Sequence, residues 1–181
     1  MNWNAHNSLF AAGLSAFLQG CASISDSAAL KPIVVPENLR VAPNEKIVLI
    51  LPARGVQTYE CRANVSGSLV WDFIAPTAEL FDQKGQRVGK HYAGPTWELQ
   101  DGSKIVGTLK QRADAPVAGA IPWLLISTKS TGGSGQFSSI SSLQRVNTVG
   151  GVAPRTGCDA SNAGKRVDVP YTTDYYYFRP M

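Results

Sequence analysis

Histidine, clustered cysteine and charge are all scarce in this chain, and each scarcity removes a class of function. Among 181 residues there are two histidines, three cysteines and 17% charged side chains. One histidine, His6, falls in the N-terminal leader described below, so a centre built on two or three imidazoles cannot form within one processed chain. The cysteines show neither a C-x-x-C spacing nor a Cys/His cluster, which argues against zinc. The 17 Lys and Arg residues stand against 13 Asp and Glu. They alternate with acids along the chain, apart from the Lys165-Arg166 doublet. That is a solvated surface and not a stripe for nucleic acid. No Gly-x-Gly-x-x-Gly opens a helix after a strand, which removes the dinucleotide fold. No Gly-x-Ser-x-Gly elbow presents a serine nucleophile, since Gly133-Ser134-Gly135 sits in a flexible, glycine-rich loop. No metal, no cofactor and no nucleic-acid partner are therefore expected.

Long apolar runs are missing too. The longest near the N terminus, residues 9–18, is too short to span a bilayer and is followed by Leu18-Gln19-Gly20-Cys21. This resembles the leader and cleavage box of bacterial lipoproteins. Residues 1–20 are then a signal peptide, and Cys21 is the first mature residue, carrying a diacylglyceryl group on its sulfur. Two or more acyl chains hold a protein stably at a membrane. The leader departs from the pattern in one respect: residues 1–8 contain no Lys or Arg. An N-terminal amphipathic helix of a cytoplasmic protein is the alternative. Ala22, a non-acidic residue after the modified cysteine, implies outer-membrane sorting in a host with two membranes. The expected location is the cell envelope, on the outer membrane or facing the periplasm.

Lipidation of Cys21 also resolves an odd cysteine count. It leaves Cys61 and Cys158, an even pair in an oxidising compartment, as a candidate disulfide. In the chain-entropy picture such a bond, closing a loop of roughly 100 residues, stabilises by up to about 4–5 kcal/mol. Two buried free thiols are the alternative.

Removing the leader leaves about 160 residues, one ordinary domain able to bury its own core. Residues 21–36 are small, polar and punctuated by proline, and read as a tether; residues 37–181 read as the domain. Within it, short β-type runs are separated by turn residues. They cover residues 46–51, 56–62, 69–74, 79–81, 86–92, 96–99, 103–110, 121–128, 143–147, 167–169 and 171–178. Asp101-Gly102 is suited to a tight turn. Two polar loops, residues 112–119 and 129–139, interrupt the series. Turn signals every 8–12 residues or so predict an all-β fold, an antiparallel β-sandwich or a barrel-like domain with long polar loops.

Several segments together resemble one family. They are Gly55-Val56-Gln57-Thr58-Tyr59-Glu60-Cys61, His91-Tyr92-Ala93-Gly94-Pro95-Thr96-Trp97 and Asp101-Gly102-Ser103-Lys104-Ile105-Val106-Gly107. To these add Ile121-Pro122-Trp123-Leu124-Leu125, Gln144-Arg145-Val146-Asn147-Thr148-Val149-Gly150-Gly151, Cys158 and residues 170–178. The resemblance is to the exported bacterial and fungal domain of unknown function, family 3455, from about Val35 to Phe178. It implies an exported β domain and assigns no chemistry.

His91 is the one histidine of the mature chain, so any Ser-His-Asp or Cys-His device would have to use it. Tyr92, Trp97, Glu98 and Asp101 are its neighbours in sequence, and Ser103 is the nearest hydroxyl after them. A structural histidine bonded to a turn carbonyl and a ligand contact are the competing roles. Glu79, Asp82, Glu98 and Asp101 offer a carboxylate pair of the glycosidase type, although hairpin turns carry Asp for conformational reasons. Trp71, Trp97, Trp123 and Tyr171, Tyr175, Tyr176 and Tyr177 are core candidates, with Trp97, beside a Gly-Pro-Thr turn, the best placed for exposure. Arg145 and Asn147, beside Gly150-Gly151, offer an anchor for an anion; an arginine tying two loops together is the alternative reading. The expected function is a lipid-anchored envelope binding or interaction domain. Its site gathers His91, Tyr92, Trp97, Arg145 and Asn147, and its partners are the membrane and an envelope glycan or small ligand. The alternative is a small envelope hydrolase with His91 as general base; no catalytic set is otherwise assigned.

Overall fold

A computed structural model of the chain describes residues 1–2 and 30–181; Cys21 and the leader reading lie outside the described residues. The period-2 alternation in the domain produces eight strands. In chain order they are β1 (Glu45–Ala63), β2 (Leu69–Phe81), β3 (Arg87–Tyr92), β4 (Thr96–Leu99), β5 (Lys104–Ala113), β6 (Trp123–Gly132), β7 (Ser142–Gly150) and β8 (Arg166–Pro180). Each pairs antiparallel with the next, and β8 returns to β1 from Glu45↔Pro180 to Glu60↔Arg166. The result is a closed up-and-down barrel, the second of the two expected architectures. Closure leaves the sheet no open edge.

Three strands are longer than their sequence suggests. Residues 46–51 and 56–62 form one strand, β1, and β2 and β8 likewise each join two of the expected runs. The breaks were signalled by proline and glycine, and the pairing explains why these do not end the strands. Pro52 lies where β1 pairs only with β8, because the β1–β2 ladder begins at Ala53. Pro76 lies before the β2–β3 ladder begins at Ala78, and Pro170 before β8 meets β7 at Tyr171. On a side with no neighbouring strand a missing N–H removes no ladder bond. Gly55 faces the backbone of β2 so closely that a Cβ would collide with the Thr77 carbonyl and Ala78. The polar tract at residues 129–132 is the end of β6 and not loop.

The core fills the barrel. Leu51 and Ala53 from β1, Ala78 and Leu80 from β2, Trp97 and Leu99 from β4, and Tyr171, Tyr175 and Tyr177 from β8 all point inward and are buried. One end is stoppered by the 133–141 loop. Phe137 is fully buried, with its ring centroid 4.7 Å from that of Tyr177. Its amide donates to Ser103 Oγ at 3.1 Å, and Asp101 holds both Ser103 and the Gln136 amide. A second apolar cluster lies outside the barrel. Leu39, in a 3-10 turn (Glu37–Leu39), packs with Trp123, Leu125 and Val146 on the outer faces of β6 and β7. Gln144 Nε2 donates to the Leu39 carbonyl at 2.7 Å, and Ile33 and Val35, in the segment read as tether, pack on the same cluster. This strap accounts for the apolar character of β6, whose two faces are both covered.

At the end opposite the stopper, residues 151–165 form the longest connection, between β7 and β8. The Cys61–Cys158 disulfide fixes it to the end of β1, with Cα atoms 5.3 Å apart and a sequence separation of 97. The free-thiol alternative is thereby set aside.

Candidate functional site

The unstoppered end of the barrel contains a cavity of about 170 Å³. β1 contributes Gln57, β3 His91, β4 Trp97, β6 Leu124 and Ile126, β7 Arg145, and β8 Tyr175. Phe73, Pro95 and Leu109 form its rim, and Phe73 and Leu109 are 46% and 55% exposed. These strands deliver their side chains here because each residue is in the inward register: His91 faces Trp97 across β3 and β4, and Arg145 faces Tyr175 across β7 and β8. Gly107 leaves room for the wall, since a Cβ there would meet Trp97 at 2.8 Å and Ile126 at 2.6 Å.

One side of the cavity is flat and aromatic. The His91 and Trp97 rings stack at 4.2 Å with 12° between their planes. Tyr175 presents its edge to both, at 5.4 and 5.5 Å. His91 is 3% exposed, and its Nδ1 lies 2.8 Å from the Thr96 carbonyl oxygen. A carbonyl only accepts, so Nδ1 carries the proton and Nε2 is left with its lone pair. Burial lowers the imidazole pKa to about 4, the Thr96 bond opposes that shift, and Arg145 adds to it. His91 is therefore neutral near pH 7.

Arg145 is the charge of the site. It donates from Nε and Nη2 to the Pro122 carbonyl at 3.2 and 2.8 Å, which ties β7 to the connection before β6. Burial holds its pKa below the ordinary arginine value, and the phenols of Tyr175, Tyr171 and Tyr59 offset part of that shift. Those phenols are themselves pushed up by burial and remain neutral. Among the described residues four ion pairs form, Arg62–Asp72, Arg87–Glu79, Lys90–Glu98 and Arg166–Glu60, and none includes Arg145. Among the described residues its positive charge thus has no carboxylate opposite it.

Several polar atoms of the barrel interior are buried without a hydrogen-bond partner. They include Trp97 Nε1 and the Tyr177 hydroxyl, whereas the Tyr171 hydroxyl interacts with Tyr175 and Gln57 in a small buried polar cluster. Larger hollows at the stoppered end, of about 530 and 420 Å³, carry no such atom in their walls.

The chain matches the family model "Protein of unknown function (DUF3455)" over residues 41–179. It belongs to this family. No curated protein and no solved structure matches the chain.

In this DUF3455 barrel the residues singled out in sequence divide into two groups. His91, Trp97 and Arg145 meet in the cavity. Trp97 is 1% exposed there and not at a surface turn, because the inward register of β4 claims its side chain. Tyr92, one residue beyond His91, points outward and donates to Glu98 Oε2 at 2.6 Å. Asn147 sits at the bulge between Val146 and Val149, with φ of 52°, and donates to Asp174 at 2.8 Å on the outer surface. The four candidate carboxylates are occupied elsewhere: Glu79 pairs with Arg87, Asp82 caps its own turn, Glu98 holds Tyr92, and Asp101 anchors the stopper loop. Among the described residues no three His, Cys, Asp or Glu side chains converge to hold a metal. Gln57, Leu124 and Ile126 are the lining residues that the sequence reading passed over as a site. The signal for Gln57 was present: a glutamine in the same register as Tyr59 and Cys61 is a polar group on an otherwise buried face.

Proposed function

We propose that this protein is a lipid-anchored binding domain of the cell envelope that holds a small ligand in the open end of its barrel. The carrying observation is the cavity itself, which combines apolar and aromatic walls with one arginine that no carboxylate pairs among the described residues. A charged group held against apolar walls without a counter-charge is costly, and a bound molecule that pairs it recovers part of that cost. Concave, mostly apolar sites with few convergent polar groups are the usual form of small-ligand sites, and barrel mouths are a common place for them. The Leu18-Gln19-Gly20-Cys21 box supports attachment to the membrane through Cys21, with the strap and barrel projecting from it.

Hydrolysis through His91 has weaker support. An imidazole with pKa about 4 is a poor base at neutral pH, and no serine, threonine, aspartate or glutamate side chain bonds it among the described residues. The experiment is a ligand screen of the protein by calorimetry and by NMR shift changes, repeated on Leu124→Trp, which fills the cavity. Ligands of this site bind the parent and lose binding in the variant while the barrel remains folded. Hits that bind both equally well place the site elsewhere. In parallel, Cys21→Ser should move the protein from the membrane to the soluble fraction, and unchanged partition with normal processing removes the anchor from the reading.

A further inference from the structure

We infer that the cavity ligand is a small organic carboxylate with a flat apolar body, its carboxylate seated on Arg145 and its body against the His91–Trp97 stack. The inference rests on the binding reading above and names the ligand class for that site. Charge sets the head group. Arg145 brings one positive charge into a largely apolar cavity, the only other titratable side chain beside it in the wall that could add a charge at neutral pH is His91, and that is neutral. A part-buried cation set against apolar walls with no carboxylate beside it is unfavourable, and a monoanion restores balance where a cation or neutral sugar would not. A dianion would leave one negative charge unbalanced. Hydrogen-bonding capacity gives the same answer. The guanidinium edge that Pro122 does not use is a charged donor at the cavity wall, beside the His91 Nε2 lone pair and the Tyr175 hydroxyl, which serves either way. A molecule that satisfies that charged donor is an acceptor, and a carboxylate accepts through two oxygens in a geometry matched to an arginine fork.

Shape sets the body. The parallel His91 and Trp97 rings and the Tyr175 ring set across them give the wall flat aromatic surfaces, and Leu124 and Ile126 add an aliphatic side. The volume of about 170 Å³ is close to that of an engineered apolar cavity of about 150 Å³ that takes benzene. A single ring or a short chain fits; a lipid tail or an oligosaccharide does not.

The test uses benzoate and its uncharged near-isostere benzamide. Titration calorimetry of the protein should show benzoate binding roughly 10- to 100-fold more tightly than benzamide, the ratio expected of a hydrogen bond to a charged group. Arg145→Met should abolish that preference, and Arg145→Lys, which keeps the charge and loses the fork, should retain only part of it. The ratio on the unaltered protein stands by itself if either variant fails to fold. Equal binding of the two probes, or tighter binding of benzamide, overturns the ligand class while leaving a binding cavity. Binding of neither probe, nor of hexanoate, overturns the class and the cavity reading together.

Discussion

His91 takes its chemistry chiefly from burial, with the Thr96 carbonyl and Arg145 as smaller influences. Its imidazole titrates near its usual value in the unfolded chain but at about 4 in the barrel. Between those values the unfolded chain binds the extra proton and the folded one does not, so stability rises with pH across that window and falls on acidification. The protein should be about 2 kcal/mol less stable at pH 5 than at pH 7 on this account. Denaturant titrations at the two pH values check it, and His91→Gln should remove most of the difference. A slope that survives in the variant assigns the effect to other groups. The same residue marks how much of the site was legible. His91 could be singled out because histidine is so rare here, yet its tautomer and its stack on Trp97 follow from the pairing His91↔Trp97, which no sequence pattern states. Arg145 was legible as a possible anion anchor, but its missing carboxylate partner was not, because that depends on where every acid of the chain ends up. Tyr92 and Asn147 were grouped with it by proximity along the chain. Tyr92 is one residue from His91, and strand alternation turns it outward; Asn147 is two residues from Arg145 and leaves the inward register only because β7 bulges there.

Among the elements, the long strands and the stopper loop decide what the cavity can be. The prolines of β1, β2 and β8 stand where a strand has one neighbour, so they read as breaks in sequence and are harmless in the sheet. The 133–141 loop looks like a flexible, glycine-rich segment in sequence. Its single buried aromatic, Phe137, makes it a plug, with Ser103 and Asp101 pinning the backbone on either side. Phe137→Ala should cost about 3–5 kcal/mol as a large buried aromatic removed from a closed barrel end. The chemical-denaturation midpoint measures it. A midpoint close to the parent's would show that the loop covers the end without bracing it.

At the scale of the whole molecule, closure of the sheet and the Cys61–Cys158 bond act together. The bond ties the long connection between β7 and β8 to the end of β1. Reduction, or Cys158→Ser, should lower unfolding stability by about 2–5 kcal/mol, the usual range for a native bond in a small domain. Thermal melts with and without reductant test this; identical melts would mean that the bond adds nothing to a barrel already closed by hydrogen bonds. The sequence by itself determined the all-β class, because alternation and turn spacing are local, and it pointed to the cysteine pair, because Cys61 and Cys158 are the two that remain once Cys21 of the leader-like box is set aside. Family membership was also legible, since the matching segments lie along one chain. Only the tertiary structure decided barrel over sandwich, joined the short runs into long strands, and turned His91, Trp97 and Arg145 inward to one cavity. Those outcomes depend on which strands become neighbours and in what register, and closing a sheet is a property of all eight strands at once.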